Sequence, residues 1–515
     1  MRDWRFIVRW MALACWLVSA LPSQAQPAAA FFGPAKPQGA ALSPSGRWLA
    51  AMTSVPDRRL GFLILDLEGK QESRFVEASR RDDAVWFQWV NDDWIVFSVY
   101  DPEDRRTYGY GAGLMSMKRD GSESRMLIAR EYDPGDPFRK RRELDPNHRF
   151  MRLGAPGTTE VIVGEDLDDV RGDYAHTTLK ALDVTTGATR SVEREAPRAS
   201  GWWFDAKGRA RVTSHNNGGK VTLSWADKAG AWREIAKADQ FDLPFWPMYV
   251  EGDDTLVVTT SDLTGANEFR RFDFTSNKPA AEVMLATPGF DGPAAPYRLR
   301  DSGAVIGLRL AVDTATTVWF SPTMDKIQAA VDAKLPGNVN DISCVPCDNP
   351  RVVLIHSYSA VDPGSYVLYR PQEGRWQLIG QVRPDIEPER MARLSFHRTK
   401  ARDGLELPVW VTRPAQAGAS TKAAPAVVLV HGGPWIRGTR WSWDAEAQFL
   451  ASRGYVVIRP EFRGSTGYGE NHHRAGWKQW GQAMQNDVTD ALRFAVAQGW
   501  VDASRVCIMG ASYGG

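Results

Sequence analysis

Ser512 stands inside Gly510-Ala511-Ser512-Tyr513-Gly514, directly after the run Arg505-Val506-Cys507-Ile508-Met509, which reads as a buried strand. A serine hydroxyl is a poor nucleophile unless it is presented clear of the backbone and given a base. Glycines on both sides let the chain bend sharply enough to lift the hydroxyl off the end of a strand. The Gly-x-Ser-x-Gly string alone is weak evidence in a chain of 515 residues. Its position after a strand-like run makes it specific, and it predicts nucleophilic attack on a carbonyl.

A second site reinforces the first. His431-Gly432-Gly433-Pro434 follows the run Val427-Val428-Leu429-Val430, the place where an acyl-transfer site puts a backbone N–H toward the oxygen that becomes negative. The N–H of Tyr513, the residue after the serine, is the other expected donor. His431 precedes the serine, whereas the base of such a site follows it, so His431 is expected to be structural or pocket-lining. His472 and His473 are adjacent, point in divergent directions, and read as surface residues near a helix start. Asp487 and Asp490 read as ordinary polar positions of a helix.

The elements that position these residues alternate. Met391 to Thr399 and Leu405 to Thr412 are strand-like and joined through Asp403-Gly404. Val427–Val430 and Tyr455–Ile458 are short apolar runs of buried strands. A helix is expected from Asp444 to Arg453, and another from Gln482 to Ala497 with Met484, Val488, Leu492, Ala495 and Val496 on one face. Strands alternating with helices predict a parallel α/β sheet. The stretch from Pro414 to Ala424 is small and polar, as in a loop.

Upstream, a polar turn followed by an apolar strand recurs. With Gly46, Asp92, Thr158, Gly208, Asp253, Gly303 and Asn349 as markers, the spacings are 46, 66, 50, 45, 50 and 46. That is the period of a four-stranded propeller blade. The long second interval holds the stretch from Asp101 to Asp145, read as a loop insertion that includes the basic run Arg139 to Arg142. The predicted fold is therefore an N-terminal β-propeller of seven blades followed by an incomplete α/β-hydrolase domain. The expected division is a signal peptide at 1–25, the propeller at 26–385 and the N-terminal part of the hydrolase domain at 386–515.

The first 25 residues carry Arg2, Arg5 and Arg9, then an apolar run from Met11 to Leu21 and a small-x-small site at Ser23-Gln24-Ala25. This reads as an export signal, with a periplasmic or secreted product. Cys344 and Cys347 could close a small disulfide ring in an oxidising compartment, and no second Cys or His pair stands near them to make a metal site. Cys507 reads as an inert core thiol. A net charge of +1 gives no field to gather nucleic acid. No cofactor, no metal and no stable membrane association after removal of the signal are expected.

Three stretches together resemble the prolyl oligopeptidase family of serine peptidases: HGGPW at 431–435, RGSTGYGE at 463–470, and Asn486-Asp487-Val488 through Val501-Asp502 to GASYGG. The likeness covers residues 391 to 515 and is strongest to the branch with acylaminoacyl peptidases and bacterial exported dipeptidyl or oligopeptidases. Members of this family are similar in placing a β-propeller ahead of the hydrolase. The resemblance implies short peptide substrates, Ser512 as nucleophile, and the N–H groups of Tyr513 and Gly433 as oxyanion donors. Arg463, Gly464 and Tyr468 match a stretch near the active-site face and are assigned scaffolding.

The family's acid and histidine have no counterpart before Gly515, so the chain is expected to be impaired as it stands and its last strand to leave an unpaired apolar edge. A carboxylesterase and a non-catalytic propeller binding module are the alternatives.

Overall fold

The computed structural model describes residues 26–515 except 57, 81, 101–112, 132–142, 194, 300–301 and 416–422. The expected export signal, the basic run, most of the 101–145 insertion and most of the 414–424 loop lie outside the described residues.

Seven antiparallel sheets, each built from consecutive strands, form the N-terminal part. They are blade 1 (β1–β4, 39–76), blade 2 (β5–β8, 83–128), blade 3 (β9–β12, 148–192), blade 4 (β13–β16, 201–239), blade 5 (β17–β21, 246–286), blade 6 (β22–β24, 294–319) and blade 7 (β25–β28, 339–381). All seven sequence markers fall in the same place, the turn between a blade's first two strands. The first strands of neighbouring blades touch: β1 meets β5 and β25, and β13 meets β17. They therefore line the axis of the ring.

The energy of the ring is in its seams. Each pair of neighbouring blades shares one apolar cluster, for example Met52, Phe62 and Ile64 of blade 1 with Ala84, Ile95 and Phe97 of blade 2. The last seam joins Leu42 and Leu49 to Val352, Leu354 and Leu368. Sheets that alternate apolar and polar faces are unstable singly, and stacking in a ring buries both faces.

Blade 6 departs from the expected four strands. After a short helix α1 (Ala28–Phe32), the second helix among the described residues, α2 (Pro322–Lys334), takes the place of its outer strand. Ser321 caps it by accepting from the Met324 N–H at 3.4 Å, and Pro322 sits in the first turn. Met324, Ile327 and Val331 then fall on one face against Ile342 and Ile355 of blade 7. Cys344 and Cys347 are disulfide-bonded, with Cα atoms 5.0 Å apart, in the turn between β25 and β26.

The C-terminal part is one mixed sheet of order β29-β30-β32-β31-β33. Its strands are β29 (Arg393–Lys400), β30 (Glu406–Arg413), β31 (Ala424–Val430), β32 (Val456–Pro460) and β33 (Val501–Gly510). β29 and β30 form an antiparallel hairpin, while β31 pairs in parallel with both β32 and β33. Helix α3 (Ala445–Ser452), capped by Asp444, links β31 to β32. After the single turn α4 (Glu470–Arg474), helix α5 (Ala483–Ala497) crosses to β33. Met484, Val488, Ala491 and Ala495 of α5 cover Val409, Val411, Val428 and Ile458.

β33 corrects one expectation. The buried-strand reading of the run before Ser512 and the core-thiol reading of Cys507 give way to the unpaired apolar edge that was also expected, for β33 is an edge strand whose Val501 alone is buried. Cys507 is exposed, Ile508 is 58% exposed and Met509 38%. No described residue covers Ile508 or Met509 on this edge, so apolar residue type did not translate into burial.

The sheet sits on the propeller face opposite the marker turns. Gly469 N–H donates to Asp291 at 2.8 Å, Glu470 N–H to the Gly265 carbonyl at 3.0 Å, and Arg398 to the Gly289 carbonyl at 2.9 Å. These acceptors lie in turns between second and third strands or between blades.

Phe62 is fully buried, with Phe87 and Phe97 rings 5.1 and 5.3 Å away. Phe62→Ala is expected to cost about 3–5 kcal/mol through the cavity left at the seam of blades 1 and 2. A urea-unfolding midpoint equal to that of the parent chain would contradict this seam-based account.

Candidate active site

β31 is flanked by β32 on one side and β33 on the other, so the connections leaving its neighbourhood run in opposite directions. In open α/β sheets such a switch point leaves a crevice at the carboxyl ends of the strands. The two glycine motifs meet there, since Val430 pairs with Gly510 at the ends of β31 and β33. Ser512 follows at the exposed tip, with φ of 58°. That left-handed conformation is uncommon for a residue with a side chain and is expected where function fixes the backbone.

The flanking glycines are required by contact. A Cβ on Gly510 would lie 2.1 Å from the Gly514 carbonyl oxygen, and one on Gly514 would lie 2.2 Å from the Val430 oxygen. The bend after β33 therefore folds directly against the end of β31. Gly432 packs on the serine itself, for a Cβ there would be 3.2 Å from Ser512 Cβ. The turn is closed by Gly514 N–H donating to Ala511 O and Gly515 N–H to Ser512 O, both at 3.0 Å.

His431 turns away from the serine. Its Nδ1 lies 2.6 Å from the Gly432 carbonyl, its Nε2 lies 3.0 Å from Ser465 Oγ, and its ring stacks on Phe462 with centroids 4.4 Å apart. All eight histidines of the chain are described, and no hydrogen bond joins any of them to Ser512. The glycine loop is held instead by the fully buried Glu461, whose carboxylate accepts from Gly438 N–H at 2.9 Å and Thr439 N–H at 2.6 Å.

Two expectations about the supporting residues are overturned. Asp487 is fully buried, and its carboxylate accepts from Arg463 Nε and Nη2 at 2.8 Å each and from Arg463 N–H at 2.9 Å. Arg463 also grips Asp403 of the β29–β30 turn at 2.7 and 3.0 Å. The bonds to Asp487 and then Asp403 raise the guanidinium pKa above its ordinary value. Asp490 pairs with Arg402, which holds its carboxyl below the usual range. The helix face that carries these carboxylates is turned inward.

His472 is likewise buried rather than superficial. Its Nε2 lies 3.0 Å from the Glu461 carbonyl and 3.2 Å from that of Phe462. Tyr468 accepts a bond from Trp410 Nε1 at 2.8 Å, deep in the same region, in keeping with a scaffolding role. An aromatic group surrounds the serine's neighbour: Trp480 meets Tyr513 edge-on at 5.2 Å, and Trp435 lies 6.2 Å from Trp480.

A propeller carrying a parallel-centred sheet, with a serine on a left-handed bend at its switch point, defines a propeller-bearing α/β-hydrolase. Residues 441–515 match the model of the prolyl oligopeptidase family. The chain is 27% identical over 514 residues to dipeptidyl aminopeptidase BIII of Pseudoxanthomonas mexicana, covering 94% of this chain and 68% of that protein. It is 32% identical over 211 residues to dipeptidyl peptidase family member 6 of Caenorhabditis elegans, covering 37% of this chain and 28% of that one. In fold it is similar to a puromycin-hydrolyzing peptidase of Mycobacterium tuberculosis, with a TM-score of 0.64 and 18% identity over 96% of this chain and 77% of the other.

Removing one partner of a buried ion pair strands the other charge. Asp487→Ala is therefore expected to destabilise the C-terminal part by about 3–5 kcal/mol, read as a lower denaturant midpoint at neutral pH.

Burial pushes the His472 imidazole below its ordinary value, so the folded chain binds this proton more weakly than the unfolded one. The stability it contributes is complete above about pH 6.5 and is lost as pH falls below that value. Unfolding free energies between pH 7 and 5 should decline more steeply for the parent than for His472→Gln.

Proposed function

We propose that this chain is the propeller and nucleophile-bearing part of a serine peptidase that cleaves short peptides. The observation that carries the reading is the exposed Ser512 at φ 58°, packed against Gly432 at the switch point of the sheet. Ser512 Oγ attacks the scissile carbonyl carbon, the C–N bond breaks as the amine leaves with a proton, and water then releases the acyl group. The N–H groups of Tyr513 and Gly433 face the developing oxyanion, a contribution of roughly 3–4 kcal/mol per donor.

None of the eight histidines bonds to Ser512, and His431 is committed to Ser465, so no base is in place on the serine hydroxyl among the described residues. Without a base the hydroxyl stays weakly nucleophilic, so the 515-residue form is expected to react slowly. Export to the periplasm or beyond is supported by the sequence of residues 1–25 and by the Cys344–Cys347 disulfide.

The test is an assay of the complete gene product on aminoacyl-amide and simple aryl-ester substrates. Amide cleavage is expected, with Ser512→Ala lowering kcat by roughly 10³-fold or more. Ester turnover without amide cleavage would move the assignment to a carboxylesterase, and unchanged amide cleavage in Ser512→Ala would remove the serine from the chemistry.

A further inference from the structure

The axial channel of the propeller holds charge that the hydrolytic site does not use. A cavity of about 760 Å³ opens among the first strands and marker turns of blades 3 to 6, on the face away from the hydrolase. Arg152 of blade 3 and Arg298 of blade 6 line it. Their protein acceptors are backbone carbonyls: Leu153 at 3.0 Å and Asp205 at 3.2 Å for Arg152, Val250 at 2.8 Å and Gly303 at 3.3 Å for Arg298. Among the described residues neither has a carboxylate within ion-pair distance. Arg152 Nη2 and Arg298 Nε and Nη2 have no protein acceptor there.

The remaining ionised lining residue does not neutralise them. Asp205 is buried with its carboxylate turned into its own blade, accepting from Lys207 N–H and Arg209 N–H at 3.0 Å each and from Arg209 Nε at 2.9 Å. Burial lowers the pKa of both guanidinium groups, and the charge of Arg298 lowers that of Arg152 further, against the weaker raising influence of Asp205 on both and of Glu251 on Arg298. Two cations thus share a partly dry channel, attracted by Asp205 from beyond ion-pair distance and paired directly with no described carboxylate, an arrangement that a bound carboxylate relieves through charge-assisted, forked hydrogen bonds.

The walls suit a peptide. Arg152 lies over the Phe204 ring at 5.1 Å and Arg298 over Tyr249 at 5.4 Å, while Trp202 and Trp203 complete an apolar surround. The channel also has a floor. A Cβ on Gly303 would lie 1.7 Å from that of Ala206, so the marker turns of blades 4 and 6 touch past blade 5.

We propose that this cavity binds a carboxylate of a peptide between Arg152 and Arg298. The choice of a peptide rests on the peptidase reading, whereas the anion preference rests on the channel alone.

The test uses the full chain carrying Ser512→Ala, so that binding is measured without turnover and a failure of the catalytic assignment leaves the result interpretable. Tryptophan fluorescence and calorimetry follow three probes: acetyl-Ala-Ala-Ala as the free acid, its C-terminal amide, and acetyl-Ala-Glu-Ala amide. At least one acid is expected to bind about tenfold tighter than the neutral amide, with affinity falling as salt is raised. Preference for the free acid assigns a chain terminus, and preference for the glutamate peptide assigns a side chain. Arg152→Gln with Arg298→Gln should abolish the difference, while Arg298→Lys, which keeps the charge, should retain most of it and report on folding. Equal affinity for acids and amide, an unchanged preference in the double variant, or binding of inorganic phosphate with none of either acid would overturn the proposal.

Discussion

A buried guanidinium needs carboxylates on the sides that water no longer covers, and Arg463 meets that need with Asp487 and Asp403. The consequence is mechanical. Asp487 belongs to α5, Asp403 to the β29–β30 turn, and Arg463 itself to the loop after β32. Helix α5 leads into β33, and β33 ends at the serine bend. The angle at which Ser512 is presented is therefore tied, through one planar cation, to the hairpin at the other edge of the sheet. Glu461, two residues before Arg463, fixes the loop that follows the glycine pair by the same means. It uses a buried carboxylate and backbone donors. The two sides of the crevice are thus set by charges on a single short segment, 461 to 463.

Much of the architecture was legible because its cues are local. Each marker is a polar turn residue ahead of an apolar second strand, and every blade repeats that turn, even where Gly208 gave a weak pattern. The hairpin at Asp403-Gly404, the cap at Asp444 and the apolar stripe of α5 are likewise short-range features. The site motifs were legible for a related reason: steric necessity at Gly510 and Gly514 leaves glycine as the residue that fits, and Gly432 is tightly packed on Ser512.

What the residues did not disclose depends on partners distant in sequence. Asp487 lies on the stripe that contains Met484, Val488 and Ala491, so its position hinted at burial, but only Arg463 explains how a carboxylate survives there. His472 is buried because two carbonyls, of Glu461 and Phe462, await its Nε2. At Ile508 and Met509 apolar type goes with exposure, as expected of an unpaired edge strand, whereas Cys507, read as a core thiol, shares that exposure. Helix α2 was passed over within the β-repeat although Ser321-Pro322 and the spacing of Met324, Ile327 and Val331 mark it.

The seven blades share a topology in which every sheet is made from its own stretch of chain, and no strand is lent to a neighbour. Almost all pairing is then short-range, which favours rapid assembly of individual sheets. The exception is the junction of the first blade with the last, where Arg370 donates to the Leu67 carbonyl across 303 residues. Joining ends so far apart carries an entropic cost that grows only with the logarithm of the loop. That cost is offset by packing of side chains such as Leu49 and Leu368 together with polar contacts such as Lys36 N–H to the Val382 carbonyl. Among the described residues no strand of the first blade pairs with one of the last, so the circle is closed by packed side chains and isolated polar contacts rather than by a β-sheet clasp.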